Sequence, residues 1–237
     1  MSLTAVYQQE LKRTRQAVKA QVALHWNNLP AYRTENVEPF VSRVVPIVEA
    51  GQRRAISLTD AYLSHMLGTK PLGLDLSTLT GASVRNGVSP QDVYARPFTT
   101  VWTSIATIGF TAALAKGLDR LTSTAEMDVA MSARDSMTSY AQQSGNIIGF
   151  QRVADPGCCD YCQTIDGART GPDEPQPLHN GCGCSAEPIY GSDASSTDFV
   201  SFSPGSLFDD VEIREHGELG PVITNRHDSF TGPNDLH

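Results

Sequence analysis

Outside one short window this 237-residue chain has no cysteine at all, since its five cysteines fall between Cys158 and Cys184. A disulfide framework spread through a whole fold is therefore excluded. Bilayer-length apolar runs are missing too. The longest, Val101 to Ala115, is interrupted by Thr103, Ser104, Thr107 and Thr111 and falls short of the about 20 residues a spanning helix needs. The first residues alternate polar and apolar without the continuous apolar segment of a secretory signal, so the expected place of synthesis is the cytosol. Aromatics are sparse at 7%, and apolar residues make up only 40%, which points to a soluble chain without a dense core throughout. No internal repeat and no Gly-x-Ser-x-Gly nucleophile turn occurs.

A basic excess is also lacking, and the net charge of −8 argues against a general nucleic-acid binder. The charge is unevenly spread. Residues 1–54 hold eight Lys/Arg against four Glu, whereas after Tyr190 two Arg face nine Asp/Glu. The basic residues near the start read first as a solvated helix face. The remaining nucleic-acid option is a weak, salt-sensitive DNA contact through Lys12, Arg13, Arg15 and Lys19.

Hydrophobic periodicity fills residues 1–145 with helices. Leu11, Val18, Val22, Trp26 and Leu29 recur at helical steps over residues 2–29, and Leu29-Pro30 should end that helix. Its narrow stripe suits docking on another helix, so it is a candidate to project from the body. A second helical segment starts near Asn36 and carries Phe40, Val44, Val45, Val48, Ile56, Tyr62 and Leu63, with Pro46 expected to kink or interrupt it. Residues 68–90, rich in Gly, Ser and Thr, read as a long surface connection. Ser89-Pro90 should cap a short helix ending near Arg96, followed by a buried one from Phe98 to about Leu121 whose Ala106, Gly109, Ala112 and Ala113 permit close packing. Ser123-Thr-Ala-Glu126 has the form of a capping box opening a fourth helix with a Met127, Met131, Met137 stripe, a pattern more often core than cofactor site.

Gly145-Asn146 should stop that helix, and Ile147 to Val153 reads as a strand, with Ile148, Phe150 and Arg152 alternating with the opposite face. It leads straight into Cys159-x-x-Cys162, then Asp166-Gly167 at a tight turn, then His179-x-x-Cys182-x-Cys184. Each half has the close spacing that lets two side chains of one turn face a single tetrahedral ion, so the candidate metal ligands are Cys159, Cys162, His179, Cys182 and Cys184. Which of Cys182 and Cys184 completes the shell stays open. Cys158, adjacent to Cys159, is the spare thiol. The ion this set suits is structural Zn2+, with reduced thiols or a disulfide such as Cys159 to Cys182 as the alternatives. The fold class expected is mainly α: a helical domain (1–145), a small α+β zinc-knuckle module (146–190) and an extended acidic tail (191–237) whose scattered Phe199, Phe202, Leu207, Phe208, Val211 and Ile213 would be pinned to a neighbour.

The run Gly149-Phe-Gln-Arg-Val153, Cys159-Asp-Tyr-Cys162, Asp166-Gly167, Pro177-Leu-His179-Asn-Gly-Cys182-Gly-Cys184 and Ala186-Glu-Pro-Ile189 resembles the carboxy-terminal module of phage Mu F-like minor head (head morphogenesis) proteins. Upstream, Val44-Val-Pro-Ile-Val48 and Tyr94-Ala-Arg-Pro-Phe98 before Trp102 are similar to versions in phages of actinobacteria. The resemblance implies a non-enzymatic minor structural protein. Its place would be the capsid interior after assembly in the host cytoplasm, in several copies, associated with portal or major capsid protein and acting in assembly, packaging or DNA delivery.

Two other readings use the same residues. His179-Asn180 beside cysteine knuckles suggests an HNH-type nuclease, yet a liganded His179 cannot be a general base, and no second histidine lies in the module. A zinc-ribbon nucleic-acid binder would want basic residues round the knuckles, where only Arg169 stands against five Asp/Glu between Gly157 and Tyr190.

Overall fold

In the computed structural model, which describes residues 1–179, 181–191 and 211–225, helix α1 spans Leu3–Asn27. Ser2 opens it by accepting a bond from the Ala5 amide. The predicted stripe is the buried face: Leu11, Val18, Val22 and Trp26 are all in the core. The helix does not project. Trp26 meets Phe40 and Phe98 edge to face, at 5.6 and 5.1 Å between ring centres, and this aromatic cluster anchors α1 to the next two helices.

Helix α2 runs unbroken over Val37–Leu67 with Pro46 inside it. The expected interruption does not occur because Pro46 and Ser42 both lie on the exposed side, where the carbonyl left without an amide partner can be hydrated. Gly51 on α2 sits against Val18 so closely that no Cβ would fit. The connection after α2 is only partly superficial. Asp60 accepts from the Leu72 and Gly73 amides at 2.9 Å each, and Leu74, Leu79, Val84 and Arg85 are buried.

Helices α3 (Pro90–Ile108) and α4 (Phe110–Ser144) differ from the sequence reading in where they break. Pro97 is accommodated inside α3, and the Ser123 capping box lies inside α4. The break falls at Gly109, whose φ of 79° and ψ of 166° suit glycine. Burial on both sides of Ser123, at Leu121, Thr122 and Ala125, overrides the local start signal, and Glu126 pairs with Lys19 at 2.8 Å. Of the small residues expected at the crossing, only Ala113 is buried; Ala106, Gly109 and Ala112 are exposed at the α3–α4 tip. Gly117 makes the close approach: a Cβ there would lie 2.7 Å from Val101 Cγ2 and 2.9 Å from the Trp26 ring.

Gly145, at φ 63°, ends α4 as expected. Strand β1 then occupies Ile147–Val153 and is the centre of a three-stranded antiparallel sheet ordered β2 (Arg169–Thr170), β1, β3 (Ser185–Tyr190). One helical turn, α5 (Asp160–Thr164), lies between β1 and β2. A second sheet is the hairpin of β4 (Val211–His216) and β5 (Gly220–Asn225). The described part of the tail is thus not merely extended, while Phe199, Phe202, Leu207 and Phe208 lie outside the described residues. The hairpin buries Leu219 and Val222 against Met127, Met131 and Leu178, which is where much of the methionine stripe goes. The chain is therefore mainly helical, with small antiparallel sheets in its carboxy-terminal region. Among the described residues no helix is long and apolar enough to cross a membrane.

Candidate metal centre

The first knuckle is built by a turn that leaves β1. The Cys158 amide bonds the Asp155 carbonyl at 2.9 Å, Cys159 takes the N-cap position of α5, and Cys162 sits inside that turn. A cap and a first-turn residue of one helix point to the same side, which explains the two-residue gap. Asp166 closes the loop by accepting from the Ala154 amide at 2.8 Å, and Gly167 follows at φ 79°. The Asp166-Gly167 turn is as predicted. In the second knuckle the Cys182 amide bonds the His179 carbonyl at 3.0 Å across Gly181 at φ 75°. Gly183 separates the last two cysteines because a Cβ there would lie 2.5 Å from the Asp155 carboxylate.

All five predicted ligands converge. His179 Nε2 is 3.1 Å from Cys162 Sγ and 3.5 Å from Cys159 Sγ. The donor atoms of Cys159, Cys162 and His179 lie within 4.8 Å of one another, as do those of Cys162, Cys182 and Cys184. Cys162 belongs to both sets, and Cys158 to neither. Ligand atoms around a tetrahedral zinc are roughly 3.5–3.8 Å apart, so the spacing suits such an ion. All five thiols are free of disulfides, including the Cys159–Cys182 alternative.

Arg152, whose side of β1 faces the sulfurs, is 1% exposed. Its Nη2 lies 3.5 Å from Cys162 Sγ and 3.4 Å from Cys182 Sγ, while Nη1 donates to the Pro177 carbonyl at 3.0 Å. Cys182 is held well below the usual thiol range, first by hydrogen bonds from the Cys162 and Cys184 thiols and then by His179 and the Arg152 guanidinium, against its burial. Cys162 is pushed up because its proton is shared with Cys182 and Cys184. Protons shared in this way are the ones a metal ion would displace.

The polar face of α1 seats the module. Thr4 donates to Glu187, Gln8 Nε2 to the Val153 carbonyl at 3.0 Å, Lys12 pairs with Asp155 at 3.4 Å, and Arg15 donates to the Cys182 carbonyl. Residues 4, 8, 12 and 15 share one helix face. Of the four basic residues considered for DNA, Lys12 and Arg15 serve this seat, Arg13 pairs with Glu10, and Lys19 with Glu126. Sequence reasoning took this face as solvated. Asp155 and Arg15 gave no local signal, but Arg152 did, as a charge in register with Phe150 on the inward side of a strand.

Fold and site together define a mainly helical protein carrying a small Cys/His cluster able to bind a metal ion and compatible with zinc. Comparison with protein-family models, curated proteins and solved structures found no match.

Proposed function

We propose that the Cys/His cluster holds one structural Zn2+ and that the chain is a minor structural protein of a tailed-phage head, without enzymatic activity. The observation that carries the metal half is the meeting of five soft donors at one place, with no carboxylate in either donor set among the described residues. Such a shell leaves no open position for water, and closed sites stabilise folds. His179 Nε2 faces the sulfurs, which disfavours its use as the base of a nuclease.

The head-protein half rests on the motif resemblance around residues 147–190. An assembly role is further supported by the α3–α4 tip. Trp102, Ile105, Ile108 and Phe110 are 39–55% exposed there, on a stretch from Val101 to Ala115 without a single charge. An exposed apolar tip of this kind fits a protein partner, and portal or capsid subunits are the partners proposed, in several copies per particle and inside the capsid.

Metal analysis of protein purified without added zinc should give one zinc per chain, and mass spectrometry of purified particles should find the chain inside the head. Substoichiometric metal would reject the site. Magnesium-dependent DNA cleavage lost in His179→Ala with the fold intact would instead establish the nuclease reading.

A further inference from the structure

The α3–α4 tip has a counterpart on the same chain. Every residue from Ile105 to Ala112 is exposed, so the tip stands clear of the body on all sides. Four of the ten exposed large hydrophobic side chains among the described residues gather there, at Trp102, Ile105, Ile108 and Phe110. Along the middle of α1 and α2 runs an open groove of about 430 Å³ with a floor of Ala17, Val18, Ile47, Ala50 and Gly51. Clefts that hold a bound group measure roughly 300–1,000 Å³. The charges on its rim are already engaged with one another: Glu10 accepts from Arg13 and pairs with Arg54 at 3.5 Å, and Arg54 Nε donates to Thr14 at 3.1 Å. An apolar floor inside such a rim favours a neutral, apolar occupant, because a charge lowered onto it would be left without a partner.

The tip is an occupant of that kind. Val101 to Ala115 carries no charge, and no acid occurs between Asp92 and Asp119 in a chain of net charge −8. Residues 1–54, which form the groove, hold eight Lys/Arg against four Glu, so an approaching acidic copy is drawn to this face while its tip brings no charge to desolvate. The tip cannot fill the groove of its own copy. Trp102 Nε1 donates to the Tyr32 carbonyl at 2.8 Å, and the Tyr32 ring packs on Trp26 at 4.9 Å, which fixes the tip at the Trp26 end of α1. Ala17 lies nine residues back, about 14 Å along the helix. We infer that the tip of one copy docks in the α1–α2 groove of the next, a head-to-tail contact between copies of this chain. Such a contact closes into a ring or continues as a row according to the rotation between copies. In a row the end copy keeps its tip free for the portal or capsid subunit proposed above. The inference uses neither the metal nor the head-protein reading.

Sedimentation velocity of the full chain over a concentration series should give a weight-average mass above that of the monomer, falling on dilution. Ile108→Lys blocks the tip with a cation that suits the end of α3, and Ala50→Arg fills the groove from an exposed helical position. Each variant should raise the dissociation constant by at least about tenfold while keeping the circular dichroism of the unsubstituted chain. Mixed in equal amounts, the two should form a dimer and nothing larger, since one intact tip then meets one intact groove. Tip-to-tip pairing would instead leave Ala50→Arg self-associating, and groove-to-groove pairing would leave Ile108→Lys self-associating. Either result overturns the head-to-tail contact, as does a mixture of the variants that stays monomeric or an unsubstituted chain that stays monomeric up to about 1 mM. Zinc content and the presence of the chain in particles are measured apart, so failure here leaves those proposals to their own tests.

Discussion

At Gly183 a single missing carbon decides whether the second knuckle can close. The Asp155 carboxylate occupies the space a Cβ would take, and Asp155 is itself tied to Lys12 at 3.4 Å. Gly183→Ala should therefore destabilise the zinc-loaded protein by about 1–3 kcal/mol, the usual cost of forcing an extra methyl into a packed site. Adding Asp155→Gly should recover most of that loss, and a double-mutant cycle by denaturant unfolding measures the coupling. The cysteine and histidine positions were readable from spacing alone, since two close pairs can face one ion. The reason for the glycine between the last two cysteines was not, because the atom that excludes a side chain comes from a turn 28 residues earlier in the chain. The same is true of Arg15, whose acceptor is the backbone of Cys182.

At the scale of elements, two effects oppose each other at Gly117. Alanine there would gain about 1 kcal/mol of helix propensity, but its Cβ would stand 2.7 Å from Val101, 2.9 Å from Trp26 and 3.0 Å from the Pro97 carbonyl. The last of these is backbone and cannot rotate away, so packing wins and Gly117→Ala should lower thermal stability rather than raise it. The existence of the helices followed from periodicity, whereas their breaks did not. Pro46 and Pro97 sit inside helices, and the Ser123 capping signal lies within one. At Ser123 burial on either side outweighed the local cue and at Pro46 the orphaned carbonyl lies on the solvent side, while Gly109, read as a packing residue, is the turn.

The hairpin adds a titrating element. Glu218 lies at its bend, and although burial raises its pKa, Arg96 and Arg85 win and hold the carboxyl below the ordinary range. Arg96 grips it through two nitrogens at 2.7 and 3.0 Å, and Arg85 donates at 3.0 Å while also holding Asp128. A depressed carboxyl contributes stability above its unfolded pKa and loses it as pH falls through the folded value. The hairpin should accordingly detach as the solution is acidified below about pH 4. Hydrogen exchange over residues 211–225 would show it, and Glu218→Gln should flatten that acid dependence. The alternation in Val211 to His216, followed by Gly217 and Gly220, was the available signal for these strands; the acidic, Ser-rich surroundings masked it.

For the whole molecule, the two knuckles and the helices do not share one source of stability. Residues 3–144 bury a continuous apolar core around Trp26, Phe40, Phe98 and Leu121, which Ile147, Phe150 and Ala186 of the β1–β3 sheet join. Around the knuckles the apolar cluster has as buried members Tyr161, three cysteines and Ile223 of the hairpin. On the proposed zinc reading, ion binding supplies much of the folding free energy of the knuckles, on the order of 10–16 kcal/mol in small zinc peptides. Chelation should unfold the knuckles, residues 154–184, first and leave the helical circular dichroism largely intact, giving two separate melting transitions where the loaded protein shows them closer together. A single cooperative loss of all helix on chelation would contradict this division.

The Leu178–Val222 bridge joins these regions in a way that neither makes alone. The Ile223 amide bonds the Leu178 carbonyl at 2.7 Å, one residue before His179, while two residues past Gly217 the same ribbon has already delivered Leu219 to the methionines of α4. A chain shortened to residue 191 would lose its bracket at both ends together: the imidazole would be left on an unbraced strand, and Arg96 would be robbed of its carboxylate. Premature termination beyond the last cysteine would thus be felt as a weakened grip on the proposed metal.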